Sequence, residues 1–595
     1  MCPRAPRQPL RSAPMPVHSD PRPGRRSRLV TALLILTAST AMAGCGSSHT
    51  SATATDPATA VPASAPLFAG AIVRPTGSQK AAASAAGRTL TRQADPYLRL
   101  LTALQTPGSP PLDFGRDVAP WLGPSAGIFL SSLTTTEESK IGGLLSGLAR
   151  DLLGGSSGAS AFPFAAHGLQ GAIVLDTSDA GKASSFVESQ AKRAGAHASS
   201  YRGVAYQATP EGTAFAVVHG LAVIGSVEGL QGVIDTTLGG PSLADSGGYA
   251  KLVSAAPSGT LAHVYVNPTA SGGKGAPQGG AGALALLAGT RQTNISLVPS
   301  ASSIGLDFDT LAAPAASGGL LASASEGAQA AGELPSESWL AVGLGNVGAS
   351  LGGDVQGLRA LVSLAGSLGG SSAEAPASGA LNLNSLLEAI LKPLSLLGAD
   401  SAEARHAFAS WMGSVGIFAS GSGLVDLKAG IVISSKNPSL SRAAVAKLGE
   451  LLRKSGASVQ PVSIAGAQAA VSVELSGLPV TLDVVDARAA NGQTKFVIGL
   501  SEASVAAALN PSSTLASSAP YSAASTALGE GIRPSIIVDF PTFLGLLEGL
   551  GLSEEPSISK LVPYLRNLST LAGGGSSPGL GVERLRVVAG LQHAE

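Results

Sequence analysis

Apolar and polar positions along this chain fall into two successive series of short, strand-like runs, each interleaved with helical stretches. In the first series Leu67 to Val73 reads as a strand. A turn containing Trp121 leads into Ile128-Phe129-Leu130, and Gly171 to Leu175 forms a further apolar strand. Phe186 and Val187 then mark the apolar side of a helix that ends at Lys192, Arg193 and Gly195. The second series repeats this succession with Ser338 to Gly343, the Trp411 turn before Gly416-Ile417-Phe418, and Ala429 to Ile433. Its helix is well punctuated: Asn437 suits the cap and Pro438 the first turn. Val445, Leu448, Leu451 and Leu452 form its stripe, and Arg453, Lys454 and Gly456 close it. Turns at His219-Gly220 and Asn491-Gly492 predict hairpins. Leu261 to Val266 and Ser303 to Phe308 end the first series as strands, and Ile536 to Phe540 and Glu583 to Val588 end the second.

Residue identities recur as well as pattern. Leu243-Ala244-Asp245-Ser246-Gly247-Gly248-Tyr249 returns as Leu515-Ala516-Ser517-Ser518-Ala519-Pro520-Tyr521, and Pro120-Trp121-Leu122-Gly123 returns as Ser410-Trp411-Met412-Gly413. Matches in the same order point to an internal duplication. Helices set among hairpins argue for α+β rather than a doubly wound parallel sheet. The expected architecture is two tandem, internally duplicated α+β modules with mixed or antiparallel sheets, at 66–316 and 333–595, joined by a linker at 317–332. Trp121, Trp411, Tyr249 and Tyr521 are expected to be structural anchors of these modules.

The N-terminal end changes the picture of where the modules work. Arg25-Arg26-Ser27-Arg28 precede an apolar run from Leu29 to Met42, which is the pattern of an export signal and is shorter than the ~20 residues of a membrane span. The run ends Met42-Ala43-Gly44-Cys45, which resembles the bacterial lipobox. Residues 1–44 are therefore expected to be a lipoprotein signal peptide cleaved after Gly44. Cys45 is expected to carry the acyl chains that hold the protein to a lipid membrane. Residues 45–65, rich in Ser, Thr, Ala and Pro, read as the lipid anchor and a flexible linker.

Composition mainly excludes. Cys2 and Cys45 are the 2 cysteines, so the body has no thiol for a disulfide, a zinc thiolate site or a cysteine nucleophile. The chain holds 38 basic and 38 acidic residues. The leader accounts for seven arginines and one acid, which leaves a mature net charge of about −6 and no electrostatic case for nucleic acid as a partner.

The Trp-Leu-Gly turn, the apolar strand and helix after it, and the Leu-x-x-Ser-x-x-Tyr segment with its following strand resemble an uncharacterised family of actinobacterial envelope proteins. That family is known as domain of unknown function 3352. The resemblance extends over about residues 66–592 and implies an envelope location and a fold shared with relatives. It brings no catalytic residue.

Several motifs imitate chemistry. Gly343-Leu344-Gly345-Asn346-Val347-Gly348 fits G-x-G-x-x-G after a strand, but Leu361 to Ser372 lacks the acid that would hold a ribose, so no cofactor is expected. Gly123-Pro124-Ser125-Ala126-Gly127 and Gly154-Gly155-Ser156-Ser157-Gly158 fit G-x-S-x-G, yet Ser125 leads into a strand where a nucleophile elbow needs a helix. His167, His197, His219, His263 and His406 show no pairing or metal-ligand spacing. Asp307 and Asp309 share one face of a strand and could seat a cation, although a solvated face is the expected role and no metal site is assigned. Leucine-rich segments around Leu144 and Leu386 to Leu397 suggest an apolar lining. The expected function is a non-catalytic binding or scaffold lipoprotein on the outer face of the cytoplasmic membrane, with an envelope protein or a hydrophobic ligand as partner. A lipid carrier and an envelope hydrolase are the alternatives.

Overall fold

The computed structural model describes residues 55–91, 112–132, 169–271, 291–312, 324–348, 409–423, 425–454, 456–474, 481–549, 553, 559 and 562–592. The first series becomes β1 (Leu67–Ile72), β2 (Leu122–Leu130), β3 (Gly171–Thr177), β4 (His197–Tyr201), β5 (Val204–Ala208), β6 (Thr213–Val218), β7 (Leu221–Ser226), β8 (Ala262–Val266), β9 (Thr293–Pro299) and β10 (Ser303–Leu311). The second becomes β11 (Ser338–Leu344), β12 (Met412–Ser420), β13 (Lys428–Ser435), β14 (Ser458–Pro461), β15 (Ala467–Glu474), β16 (Thr481–Arg488), β17 (Thr494–Gly499), β18 (Ile536–Asp539), β19 (Leu568–Gly579) and β20 (Val582–Leu591). With the helices between them, these strands make an α+β protein.

Every pairing among the described strands is antiparallel, and the pairings follow one unbroken order: β4-β5-β6-β7-β3-β2-β1-β8-β9-β10-β20-β19-β18-β11-β12-β13-β17-β16-β15-β14. The second half repeats the pairings of the first, strand for strand. β1 lies between β2 and β8 as β11 lies between β12 and β18. The halves meet where β10 pairs with β20, from Ser303 opposite Gly590 to Leu311 opposite Val582. Modules with sheets of their own thus give way to one 20-stranded sheet. The mixed pairing held open by the sequence does not occur among the described strands.

Alternation along each strand sends side chains to two helical layers. In the first half Leu175, Phe215 and Ile224 pack under α2 (Ala180–Arg193), while Val174, Ala216 and Val223 turn to α3 (Val227–Thr237) and α4 (Gly247–Ala255). Helix α1 (Gly77–Thr91) follows β1. In the second half α6 (Pro438–Lys454) takes the place of α2. Asp179 caps α2 by accepting from the Lys182 amide, and Asn437 accepts from Ser439 and Leu440 at the start of α6. Ala183, Phe186, Val187 and Ala191 are buried on α2 where Ser441, Ala444, Val445 and Gly449 are buried on α6. Gln190 stands where α6 has Leu448. Helices α7 (Glu502–Leu509) and α8 (Ala519–Leu528) cover the opposite layer, and α9 (Phe540–Gly549) sets Phe543 against Trp339, with ring centroids 5.5 Å apart.

Two stretches expected as linkers belong to the body. Residues 57–65 lie within the expected 45–65 tether, yet Asp56 caps a 3-10 turn at Pro57–Thr59, and Ala58, Ala60, Val61 and Ala65 are buried in the first core. Within the expected 317–332 linker, Ala324–Gly332 forms α5, packed on β11 and β12. The two stretches are equivalent. Pro62 bridges Ser242 as Pro335 bridges Thr514, and Val61 accepts from the Leu243 amide as Leu334 accepts from the Leu515 amide. Small residues made both look like tethers. Here they let both stretches lie directly on sheet glycines: a Cβ on Gly127 would come 2.9 Å from the Pro57 ring, and one on Gly343 would overlap the Gly327 carbonyl.

Candidate functional site

The most polar part of the interior lies at the join of the halves. Opposite residues in an antiparallel pair share a face, so the register defines two rows across five strands. One runs Phe68, Tyr265, Asn294, Asp309 and Arg584, and the other Gly70, His263, Ser296, Asp307 and Arg586. Asn294, Ser296, Asp307 and Asp309 are essentially inaccessible, and Arg584 is 8% exposed. The opposite faces of the same strands carry Val264, Ile295, Leu297, Phe308, Leu585 and Val587, all half-buried, with Leu306 36% exposed. The central sheet is therefore inverted, with charge sealed on its inner face and mostly apolar, half-buried side chains on the outer one, where Thr293 and Thr310 are inaccessible.

The charges are satisfied in pairs. Arg584 donates to both Asp309 oxygens at 2.6 and 2.9 Å, and Arg586 Nε donates to Asp307 Oδ1 at 2.7 Å. Each guanidinium also closes a helix. Arg584 donates to the Ala255 carbonyl at the end of α4, and Arg586 donates to the Leu528 carbonyl at the end of α8, at 3.1 Å. A cation over the last carbonyls of a helix meets the negative end of its dipole. Burial pushes the Asp309 carboxyl above the usual carboxylate range, while the Arg584 contact pulls it back. The solvated face expected for Asp307 and Asp309 is thus corrected: both are buried and held by arginines from the other half. Among the described residues no group of three or more His, Cys, Asp or Glu is placed to hold a metal ion.

At the β1 end of the rows, the Tyr249 hydroxyl on α4 lies 3.1 Å from His263 Nε2. The Tyr249 ring stands edge-on to Tyr265 at 5.2 Å and to Phe68 at 5.9 Å. Gly70 makes room, since a Cβ there would come 2.7 Å from His263 Cε1. Burial pushes the Tyr265 hydroxyl up to about 12 and raises Tyr249 also, and it lowers His263 against the pull of Asp56. In the second half Tyr521 is only partly buried, and the residue equivalent to His263 is Ser535, which donates to the Gly573 carbonyl.

Trp121 and Trp411 lie buried in equivalent places, each 1% exposed, with centroids 5.0 Å from Phe186 and 5.1 Å from Phe496. Ser125 lies inside β2 and donates to the Thr55 carbonyl at 3.1 Å, with no strand-turn-helix elbow around it. Gly343 and Gly348 serve close packing, and a Cβ on Gly348 would overlap the carbonyls of Ala409 and Met412. His197 begins the exposed strand β4, and His219 sits in a turn at φ 47°. Gly44, Cys45, Leu144, 154–158, His167, 386–397 and His406 lie outside the described residues. Arg584, Arg586 and Tyr265 escaped the sequence reading. The i, i+2 spacing of the two arginines, matching that of Asp307 and Asp309, was the available signal.

Fold and site together define an α+β protein of two like halves, joined through a single antiparallel sheet with charge buried at the join. The chain belongs to the family described as protein of unknown function (DUF3352), whose model matches residues 29–535. No curated protein and no solved structure matches it.

Proposed function

We propose that this chain is a cell-envelope lipoprotein without catalytic activity, a binding or scaffold protein whose halves arose by internal duplication. In this reading acyl chains on Cys45 hold it to the outer face of the cytoplasmic membrane. The inverted central sheet carries the proposal. Its buried carboxylates and arginines join the halves, and the face turned outward is mostly apolar. A contiguous apolar face is the usual mark of a surface that meets another molecule.

The same face favours a second reading, carriage of a lipid or other hydrophobic envelope molecule. Leu306, Phe308, Ile295, Leu297, Leu585 and Val587 are mutual neighbours across β9, β10 and β20 and could receive an aliphatic chain. The test has two arms. Cys45→Ala is expected to move the protein from the membrane pellet to the soluble fraction, and retention in the pellet would refute the anchor. Native mass spectrometry of the full chain, extracted from its own membrane, is expected to show bound lipid if the second reading holds. A bare chain would leave the scaffold reading alone.

A further inference from the structure

We infer that the exposed edge strand β4 is a docking edge for a second copy of this chain, the two copies pairing antiparallel through β4 of each. The ends of the sheet are equivalent strands, β4 in the first half and β14 in the second, and among the described strands each pairs with one neighbour only. Their backbones differ in what they leave open. Arg202 and Gly203, at φ 48° and 82°, make a two-residue turn between β4 and β5, so the flanking Tyr201 and Val204 exchange both main-chain hydrogen bonds. Alternation then turns His197 and Ser199 inward to β5 and leaves the amides and carbonyls of Ala198 and Ser200 pointing off the sheet. In β14 the Val462 amide donates to the Ala470 carbonyl, so Val459 and Pro461 are the residues that point off the sheet. Gly195 and Gly456, both at positive φ, stand two residues before the strands, so Ala198 takes the place of Val459 and Ser200 that of Pro461. Pro461 has no N–H to give, and the Val459 carbonyl accepts from Arg453 at 3.4 Å. The β14 edge is blunted.

No such guard stands on β4. His197, Ala198, Ser199 and Ser200 are exposed, the strand carries no proline, lysine, arginine or carboxylate, and its pairing with β5 has no bulge. An unprotected edge of this kind is a template for a further strand. A second copy fits because the strand is complementary to itself. With a two-fold axis at Ser199, Ala198 lies opposite the second copy's Ser200 and the two exchange both hydrogen bonds, and symmetry repeats the exchange at Ser200. His197 then lies across from the second copy's Tyr201, and no like charges meet along the strand. The chain already joins in this manner, since β10 and β20, the closing strands of the two halves, pair antiparallel along their edges. Such a contact uses the same patch on both molecules, so it closes as a dimer and not as a fibre. A strand of 5 residues is a small patch, which makes the dimer a weak one in free solution.

This pairing gives the scaffold reading above a partner, another molecule of the same chain, but does not depend on acylation of Cys45, so it is tested on the full mature chain carrying Cys45→Ala. Sedimentation velocity over a rising concentration series is expected to show a monomer passing into a dimer. Ser200→Pro installs the residue of the blunted edge at an amide that points off the sheet, and an unchanged unfolding temperature shows that the variant is folded. Its self-association is expected to fall at least about tenfold, because each copy loses a main-chain donor. Ser199→Lys, an exposed change that sets like charges opposite one another, repeats the test should the proline variant unfold. The register has its own readout. Ser199→Cys supplies the sole thiol of this mature chain and sets it on the two-fold axis. The pair there is not hydrogen-bonded, so its Cα atoms approach to about 4.5 Å and a disulfide can close. Mild oxidation is expected to give a covalent dimer from Ser199→Cys and several-fold less of it from Ser200→Cys. A monomer at every concentration overturns the docking edge. So does a dimer that Ser200→Pro and Ser199→Lys leave intact, or a cross-link formed equally by both cysteine variants.

Discussion

His263 sits where a positive charge is costly. It lies against Tyr249 and Phe68 beneath α4, and burial lowers its pKa from 6.5. Below that pH the unfolded chain takes up a proton that the native state refuses. Stability therefore rises with pH in this window and is lost as pH falls from 6.5 towards the lowered value. His263→Leu is expected to flatten the dependence, read from urea unfolding between about pH 5 and 6.5. Buried Asp176, Asp309 and Asp486 are shifted upward and act in the opposite sense from 3.8 upward. The difference between variant and wild type is thus the quantity to compare, and identical slopes would place His263 in contact with solvent. At this scale the sequence was legible in part. The burial of Trp121, Trp411 and Tyr249 could be read because large apolar residues beside a recurring turn have few other places to go. Asp307 and Asp309 could be placed on one face but not inside, because Arg584 and Arg586 follow 275 and 279 residues later.

Element boundaries followed the pattern wherever apolar side chains alternate or recur at helical spacing, as in β1, β11, β13 and α6. They were lost where the residues are small. Strand β19 contains Ala572-Gly573-Gly574-Gly575-Ser576, and β9 alternates Asn294 and Ser296 with Ile295 and Leu297, so neither announces itself by hydrophobicity. Helix α5 was hidden by the same smallness that lets it dock. Gly343→Ala tests this docking. The added methyl would overlap the Gly327 carbonyl and crowd the Ala331 amide, and because backbone cannot swing aside the expected loss is about 1–3 kcal/mol. Chemical denaturation measures it. Faster hydrogen exchange should appear in α5 and β11 before distant strands such as β15. An unchanged stability would mean that α5 rests more loosely on β11 than its geometry states.

Across the whole molecule the decisive contact is β10 with β20, because neither half contains a covalent or sequential reason to stop at ten strands. Arg584→Met leaves Asp309 buried without its partner and is expected to cost about 3–5 kcal/mol, while Arg584→Met with Asp309→Leu should recover much of that loss. Urea unfolding of the three proteins gives the comparison. A double variant no better than the single one would show that packing, not the stranded charge, sets the penalty. Loss of protection in β4–β7 and β14–β17 together would follow if the halves unfold as a unit. The continuity of the sheet was illegible in sequence, since a repeat shows that two units are alike without saying how they meet.

The stretch from Asp56 to Ala65, docked through Ala58, Ala60, Val61 and Ala65, also has a mechanical consequence. Tension arriving from the N-terminal side does not peel a surface strand. It meets the Thr55 contacts with Asp176 and Ser125 first, then the Pro62–Ser242 bridge and the Val61–Leu243 hydrogen bond, so a pull is carried into the core of the first half rather than along the rim of the sheet.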